Sequence, residues 1–139
     1  MVRIELLPWP EARPLAAPIR FAVFVDEQKV PVDLELDERD ASCMHAVAFN
    51  DAGHPVGTGR LLPDGHIGRM AVMHAVRGQG VGGQILEALV AEARRRGHGE
   101  AVLSAQVQAL GFYRKFGFEA FGPVYEEAGI AHQDMRRRL

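Results

Sequence analysis

Met70-Ala71-Val72-Met73-His74-Ala75-Val76-Arg77-Gly78-Gln79-Gly80-Val81-Gly82-Gly83 joins the end of an apolar strand pattern to a helix through a turn crowded with glycine. Beyond it, Val81, Ile85, Leu86, Leu89, Val90 and Ala93 recur on one helical face, so an amphipathic helix starts among the last glycines. Glycine reaches backbone angles that other residues avoid, and its missing side chain lets a ligand come close to the main chain. The first turn of the helix has amide donors with no internal acceptor, and the helix dipole adds positive potential there. A phosphate suits that position. Val81 to Leu86 contains no acid, and Glu87 is the first, so the first turn brings no carboxylate of its own to compete.

The plainer reading is that four glycines merely permit a tight strand-to-helix turn. Two other phosphate-binding patterns also deserve comparison. Gly78-x-Gly80-x-x-Gly83 formally matches a dinucleotide fingerprint, but the next strand should then end in an acid for the ribose hydroxyls. Here that strand runs into Val107-Gln108, with Glu100 before it, and roughly 55 remaining residues are too few for the rest of a doubly wound sheet. The nucleoside-triphosphate loop fails because no Gly-Lys-Ser/Thr follows the glycines.

Working outward, Arg3 to Leu7 reads as a first strand closed by Pro8 and Pro10, with Trp9 packing at the sheet edge. Leu15, Ile19 and Val23 place a helix from about Pro14 to Val25. A polar, acidic stretch follows, containing Asp26, Glu27, Asp33, Glu35, Asp37, Glu38 and Asp40, and it reads as a loop with room for a short helix. His45 to Phe49 and Val56 to Leu62 form a hairpin about Asn50-Asp51-Ala52-Gly53, and Pro63-Asp64-Gly65 leads into a strand from Ile67 to Met73. The helix after the glycines ends in Arg94-Arg95-Arg96-Gly97, suited to its negative end and a left-handed cap. Ala101 to Val107 is a strand and Leu110 to Phe116 a short helix stopped by Gly117. Phe118 to Phe121 and His132 to Met135 close the chain as strands. The order β-α-β-β-β-α-β-α-β-β predicts an α/β fold, a mixed sheet with helices packed on it, in one domain spanning 1–139.

Composition narrows the function. The 139 residues are 47% hydrophobic and 24% charged, and sixteen Lys and Arg against eighteen Asp and Glu give a net charge of -2. That balance argues against nucleic acid as a partner. No apolar stretch approaches the ~20 residues that cross a bilayer, and no basic segment precedes an apolar run at the start, so the default expectation is a cytoplasmic protein without membrane attachment. Cys43 is the single cysteine, with no evident partner base, which disfavours a covalent thioester route. His45, His66 and His74 lack metal-ligand spacing, so no metal is assigned.

In its glycine-rich segment the chain resembles the GNAT superfamily of N-acetyltransferases. The acyl-CoA motif Arg/Gln-x-x-Gly-x-Gly/Ala is met by Arg77-Gly78-Gln79-Gly80-Val81-Gly82, and Met70-Ala71-Val72 resembles the splayed strand that pairs with the pantetheine arm. Gln106-x-x-Ala109-x-x-x-Tyr113-x-x-x-Gly117-Phe118 is similar to the second signature, with Gln106 in place of its asparagine. Arg20-x-x-Val23-Phe24-Val25-x-Glu27-Gln28, Glu35-x-Asp37-x-x-Asp40 and Gly129-Ile130-x-His132-x-x-Met135 extend the likeness to the ElaA-like branch over nearly the whole chain.

The resemblance implies a mostly antiparallel sheet with one splayed strand pair. It also implies acetyl-CoA as cosubstrate, held by Met70, Ala71, Val72, Arg77, Gly78, Gln79, Gly80, Val81, Gly82, Gly83 and Gln106. The partner is an amine, from a small molecule or a protein, that attacks the thioester directly in a ternary complex. Backbone amides near Val72 would stabilise the oxyanion. Tyr113 matches the tyrosine that protonates the leaving thiolate, and a phenol with an ordinary pKa of about 10 is a suitable acid toward a thiol near 8.5. Its plainer role is as a core aromatic sharing a face with Ala109 and Phe116.

Many relatives carry a glutamate on the central strand as base, whereas Ile67-Gly68-Arg69-Met70 offers none. Glu27, Glu35 and His132 are the remaining base or substrate-binding candidates. The acidic segment either draws in a cationic amine or is simply solvated, and Arg69 either anchors a substrate carboxylate or pairs with that segment. A catalytically silent acyl-CoA-binding regulator is the alternative function, and a nicotinamide oxidoreductase rests only on the weak glycine match. Exposed sheet edges leave a homodimer open.

Overall fold

The computed structural model describes residues 2–32 and 36–139. Strand β1 (Arg3–Pro8) leads directly into helix α1 (Trp9–Arg20), which continues as one wider π-helical stretch over Phe21–Glu27. A 3-10 turn (Glu38–Ser42) precedes β2 (Met44–Phe49), β3 (Pro55–Leu61) and β4 (His66–Val72). The glycine turn opens α2 (Val81–Arg95). It is followed by β5 (Glu100–Gln106), the short α3 (Leu110–Arg114), β6 (Glu119–Glu127) and β7 (Ile130–Arg138). The seven strands make one sheet in the order β1-β2-β3-β4-β5-β7-β6, antiparallel everywhere except between β4 and β5.

The element order is the one predicted, and the main boundary changes fall at the first helix and the two closing strands. Helix α1 starts at Trp9 rather than Pro14, because Pro10 lies in the first turn, where a missing N–H is harmless. Trp9 therefore opens the helix, and its ring lies 4.7 Å from that of His45. The two closing strands run to nine residues each, longer than their apolar cores, because backbone pairing carries on through Glu126↔Ala131 and Glu127↔Ile130.

The core forms where the stripe of α2 meets the sheet. Ile85, Leu86, Leu89, Val90 and Ala93 are fully buried against Ala46, Leu61, Ile67, Leu103 and Met135, and each large apolar side chain contributes about 1.5–3 kcal/mol. The close approach of α2 depends on glycines in β3. A Cβ on Gly59 would fall 2.6 Å from Met70 Sδ and 3.0 Å from Ile85 Cγ2 and Leu89 Cδ1. Gly59→Val is therefore expected to lower stability by about 1–3 kcal/mol through overpacking. A urea midpoint equal to that of the parent would show that α2 has room to spare.

Candidate active site

Strands β4 and β5 pair only at His66↔Val102 and Ile67↔Leu103. Past that point β4 bulges: Ala71 faces Thr58 while Gly68 faces Arg60, three steps on one strand against two on the other. Arg69 sits in the bulge with φ +50°, a strained angle for a residue with a Cβ. The bulge turns β4 away from β5, and a cleft of about 510 Å³ opens at the divergence. Met70, Gln106 and Tyr113 line it, as do His132 from β7 and Phe24 and Gln28 from the end of α1.

The four glycines of the turn do different things. Gly78 and Gly80 have φ +81° and +82°, and a Cβ on either would meet nothing within 4 Å. Gly82 lies in ordinary contact range of Phe112 Cζ, at 3.4 Å. Gly83 is a packing glycine, since its Cβ would stand 2.5 Å from Phe116 Cζ. Gly80 caps α2 without any side-chain hydrogen bond, and the first turn holds no acid. Because the first intrahelical bond runs from Gln84 N–H to Gly80 O at 3.2 Å, the N–H groups of Val81, Gly82 and Gly83 have no acceptor within the helix. An open, positively polarised turn with free donors fits a diphosphate.

Arg77 clamps this turn from outside. Its Nε donates to Val72 O at 3.0 Å, and its two terminal nitrogens donate to Glu27 at 2.8 and 2.9 Å. Hydrogen bonding from Arg77 holds the Glu27 carboxyl below the usual range, so Glu27 is a poor proton acceptor. Gln106 donates to Gln28 Oε1 at 2.9 Å, tying the end of β5 to the end of α1. Glu35 lies outside the described residues.

His132 faces the cleft in a defined tautomer. Nδ1 is 2.7 Å from Ile130 O, which can only accept, so Nδ1 carries a hydrogen. The neighbouring ring of Tyr125 stacks on it at 6.1 Å. The hydroxyl of Tyr125 donates to Asp134 Oδ1 at 2.7 Å and also bonds Ser104 Oγ. This Ser104-Tyr125-Asp134 network crosses β5, β6 and β7 and has no local signature in the sequence. Only the register that sets Ser104 opposite Asp134 and Tyr125 opposite His132 assembles it.

Tyr113 projects from α3 into the mouth of the cleft while its ring packs on Phe112 and Phe118 at 5.0 and 6.2 Å. No described residue hydrogen-bonds its hydroxyl. Burial pushes its pKa up to about 12.

The acidic segment does not present free carboxylates to the cleft where it is described. Asp40, 1% exposed, accepts from Arg20 at 2.8 and 3.1 Å and from Arg60 at 2.8 Å. Asp37 accepts from Arg60 at 2.8 and 3.1 Å and from Arg69 at 3.3 Å. Hydrogen bonding from Arg60 holds Asp37 down at about 2. Of the two readings of Arg69, pairing with this segment is the one observed.

With the splayed strands, glycine turn and cleft in place, comparison with known proteins agrees on the class. The model for the acetyltransferase (GNAT) domain matches residues 16–139. The chain belongs to the GNAT family of acetyltransferases, an acyl-CoA-dependent class of N-acyltransferase. The uncharacterized N-acetyltransferase YjcF of Bacillus subtilis is 38% identical over 123 residues, 86% of this chain and 87% of that protein. An acyl-CoA N-acyltransferase from Pseudomonas aeruginosa superposes with a TM-score of 0.87 at 32% identity, covering 99% of both chains. The ElaA-like resemblance holds as well. Escherichia coli ElaA is 33% identical over 129 residues, 87% of this chain and 84% of that protein. Its crystal structure superposes with a TM-score of 0.88 over 99% of this chain and 100% of that one. Among the described residues no helix is long and apolar enough to cross a membrane.

Proposed function

We propose that the protein transfers the acetyl group of acetyl-CoA to a primary amine by direct attack in a ternary complex. The observation that carries this reading is the opening between β4 and β5, lined by Tyr113 and His132, with the uncapped N-terminus of α2 following β4 in the chain. The diphosphate would rest on the amides of 78–83, with the pantetheine arm along the unpaired edge of β4 at Met70, Ala71 and Val72.

The amine nitrogen forms a bond to the thioester carbon, the carbonyl oxygen becomes an oxyanion near the β4 amides, and the C–S bond then breaks. His132 Nε2 takes the proton that the amine loses, while Tyr113 donates its hydroxyl proton toward the departing sulfur. Holding both reactants in one cleft supplies much of the rate. Of the three base candidates, His132 lines the cleft with Nδ1 bonded to Ile130 O, which leaves Nε2 as the ring nitrogen to take a proton, whereas Glu27 is spent on Arg77.

The test is thiol release from acetyl-CoA across a panel of amines. Release that requires the amine supports transfer. Tight binding of CoA with no release across the panel would replace it with the regulatory-module reading. The cradle has its own test. Gly80→Glu adds bulk and a like charge where phosphate is expected, so CoA affinity should fall at least about 100-fold by calorimetry. Gly80→Asn, which tolerates the left-handed angle, controls for backbone strain. Unchanged affinity in the Glu variant would move the diphosphate elsewhere.

A further inference from the structure

The hydrogen bonds that join Ser104, Tyr125 and Asp134 run in one fixed direction. Register sets Ser104 opposite Asp134 and Gln106 opposite His132, so these four side chains share one side of the sheet. Leu103 and Ala105 are buried on the other side. Ser104, Gln106 and His132 line the cleft. Tyr125 starts opposite His132 on β6 and reaches across β7, with its ring stacked on that of His132 and its hydroxyl on Asp134 and Ser104. His132 therefore flanks the face of this phenol, and Ser104 stands at its hydroxyl end.

A carboxylate oxygen only accepts, and a phenol has one hydrogen to give. Tyr125 gives that hydrogen to Asp134 Oδ1 at 2.7 Å. Its bond with Ser104 must then run the other way, with Ser104 Oγ as the donor. Ser104 Oγ has no second hydrogen, and Tyr125 is the one hydrogen-bond partner of its side chain among the described residues. A molecule that meets this oxygen in the cleft meets lone pairs alone. An N–H is welcome there, and a carbonyl or carboxylate oxygen is not.

We propose that Ser104 positions the acceptor amine by accepting one of its N–H hydrogens, and that Asp134 sets this polarity through Tyr125. The proposal rests on the acyl-transfer reading and adds the residues that select the class of amine. When a primary amine attacks, the new N–C bond leaves two hydrogens on the nitrogen. One passes to His132 Nε2 as the C–S bond breaks, and Tyr113 supplies the proton of the departing thiol. The other stays on the product as the amide N–H, held by Ser104 Oγ. A secondary amine keeps a single hydrogen at that stage, and His132 must take it. Ser104 Oγ is then left without a donor and faces an alkyl group.

The experiment compares each primary amine of the panel with its N-methyl derivative. The parent should favour the primary amine about 10-fold or more in kcat/KM. Ser104→Ala removes the acceptor and makes room for the methyl group, so the preference should fall to about 2-fold or less. Ser104 is exposed, so the melting temperature and CoA affinity should hold in that variant. Asp134→Asn keeps the shape of the network but lets an amide N–H donate to Tyr125. Tyr125 can then donate to Ser104, which returns a hydrogen to the cleft, and the preference should level again. A purely structural role for these residues would not move that ratio. A parent without the preference, or a preference that survives Ser104→Ala, overturns the contact; one that survives only Asp134→Asn overturns the relay. If no amine is turned over, the transferase reading falls by itself. Calorimetric titration of CoA-saturated protein with the primary amines then decides the matter. Binding weakened about 10-fold by Ser104→Ala upholds the contact, and equal or absent binding refutes it.

Discussion

Asp40→Ala is expected to remove about 3–5 kcal/mol of folding stability, a large part of the 5–15 kcal/mol that holds a domain of this size together. Asp40 is the carboxylate shared by two buried guanidiniums, Arg20 at 0% and Arg60 at 4% exposure. Removing it withdraws the charge that both were placed to meet, and water cannot reach in to replace it. The same residue accepts from Asp37 N at 3.4 Å and so helps close the 3-10 turn, whose backbone also meets His45: Nε2 lies 3.0 Å from Asp40 O.

The urea midpoint should fall with little change in slope, and the melting temperature should drop by roughly 10–20 °C. The pH dependence follows from the same contacts. Burial pushes the Asp40 carboxyl up, but hydrogen bonds from Arg20 and Arg60 win and hold it below its ordinary value. Asp37 is held at about 2. Groups lowered in the folded state give their full stabilisation above the unfolded carboxylate range near 4. They lose it as pH falls from there toward 2. Acid unfolding of the parent should therefore steepen below pH 4, and Asp40→Ala should flatten that limb. A stability loss under 1 kcal/mol would mean that the pair is held mainly by backbone packing.

Tyr113→Phe should lower kcat for acetyl transfer about 100-fold or more, the usual contribution of a positioned acid. The KM for acetyl-CoA and the thermal stability should barely move, because the hydroxyl has no partner among the described residues and the ring keeps its contacts with Phe112 and Phe118. A pKa of about 12 alters the expected chemistry. Full transfer of that proton to an ordinary thiolate near 8.5 runs uphill. In the proposed reaction the hydroxyl would therefore act first as a hydrogen-bond donor while the C–S bond lengthens. Transfer would then complete because the same desolvation also raises the basicity of a thiolate formed in the cleft. Tyr113 remains protonated below about pH 11, so loss of this proton should produce no alkaline decline in kcat up to that point. A decline centred near pH 10 that disappears in Tyr113→Phe would show a solvated phenol instead. Activity retained in the variant would remove Tyr113 from the reaction.

Most of the fold was legible because its signals are local. The stripe on α2, the Asn50 to Gly53 hairpin and the glycine turn each lie within one stretch of chain. What stayed hidden depends on register. The residues shared with the ElaA-like branch, Arg20, Glu27 and Gln28, carry no local pattern that reveals their roles. Folding sends each to a different partner: Arg20 to Asp40, Glu27 to Arg77 and Gln28 to Gln106. An acidic segment looks like a negative surface in sequence until β3 and the β4 bulge bring arginines to it. Likewise Gly83 and Gly80 look alike in a motif, yet one is shaped by Phe116 and the other by its own backbone angle.

The two-rung pairing of β4 with β5 divides the sheet mechanically. On one side stand β1 to β4, and on the other β5, β7 and β6, joined by a weld only two residues long. Such a seam is the weakest line for opening, and amides along it should exchange with solvent sooner than those inside either half. A cosubstrate bound in the gap as proposed would bridge the two halves, so its arrival would stiffen the sheet and its departure would loosen it again.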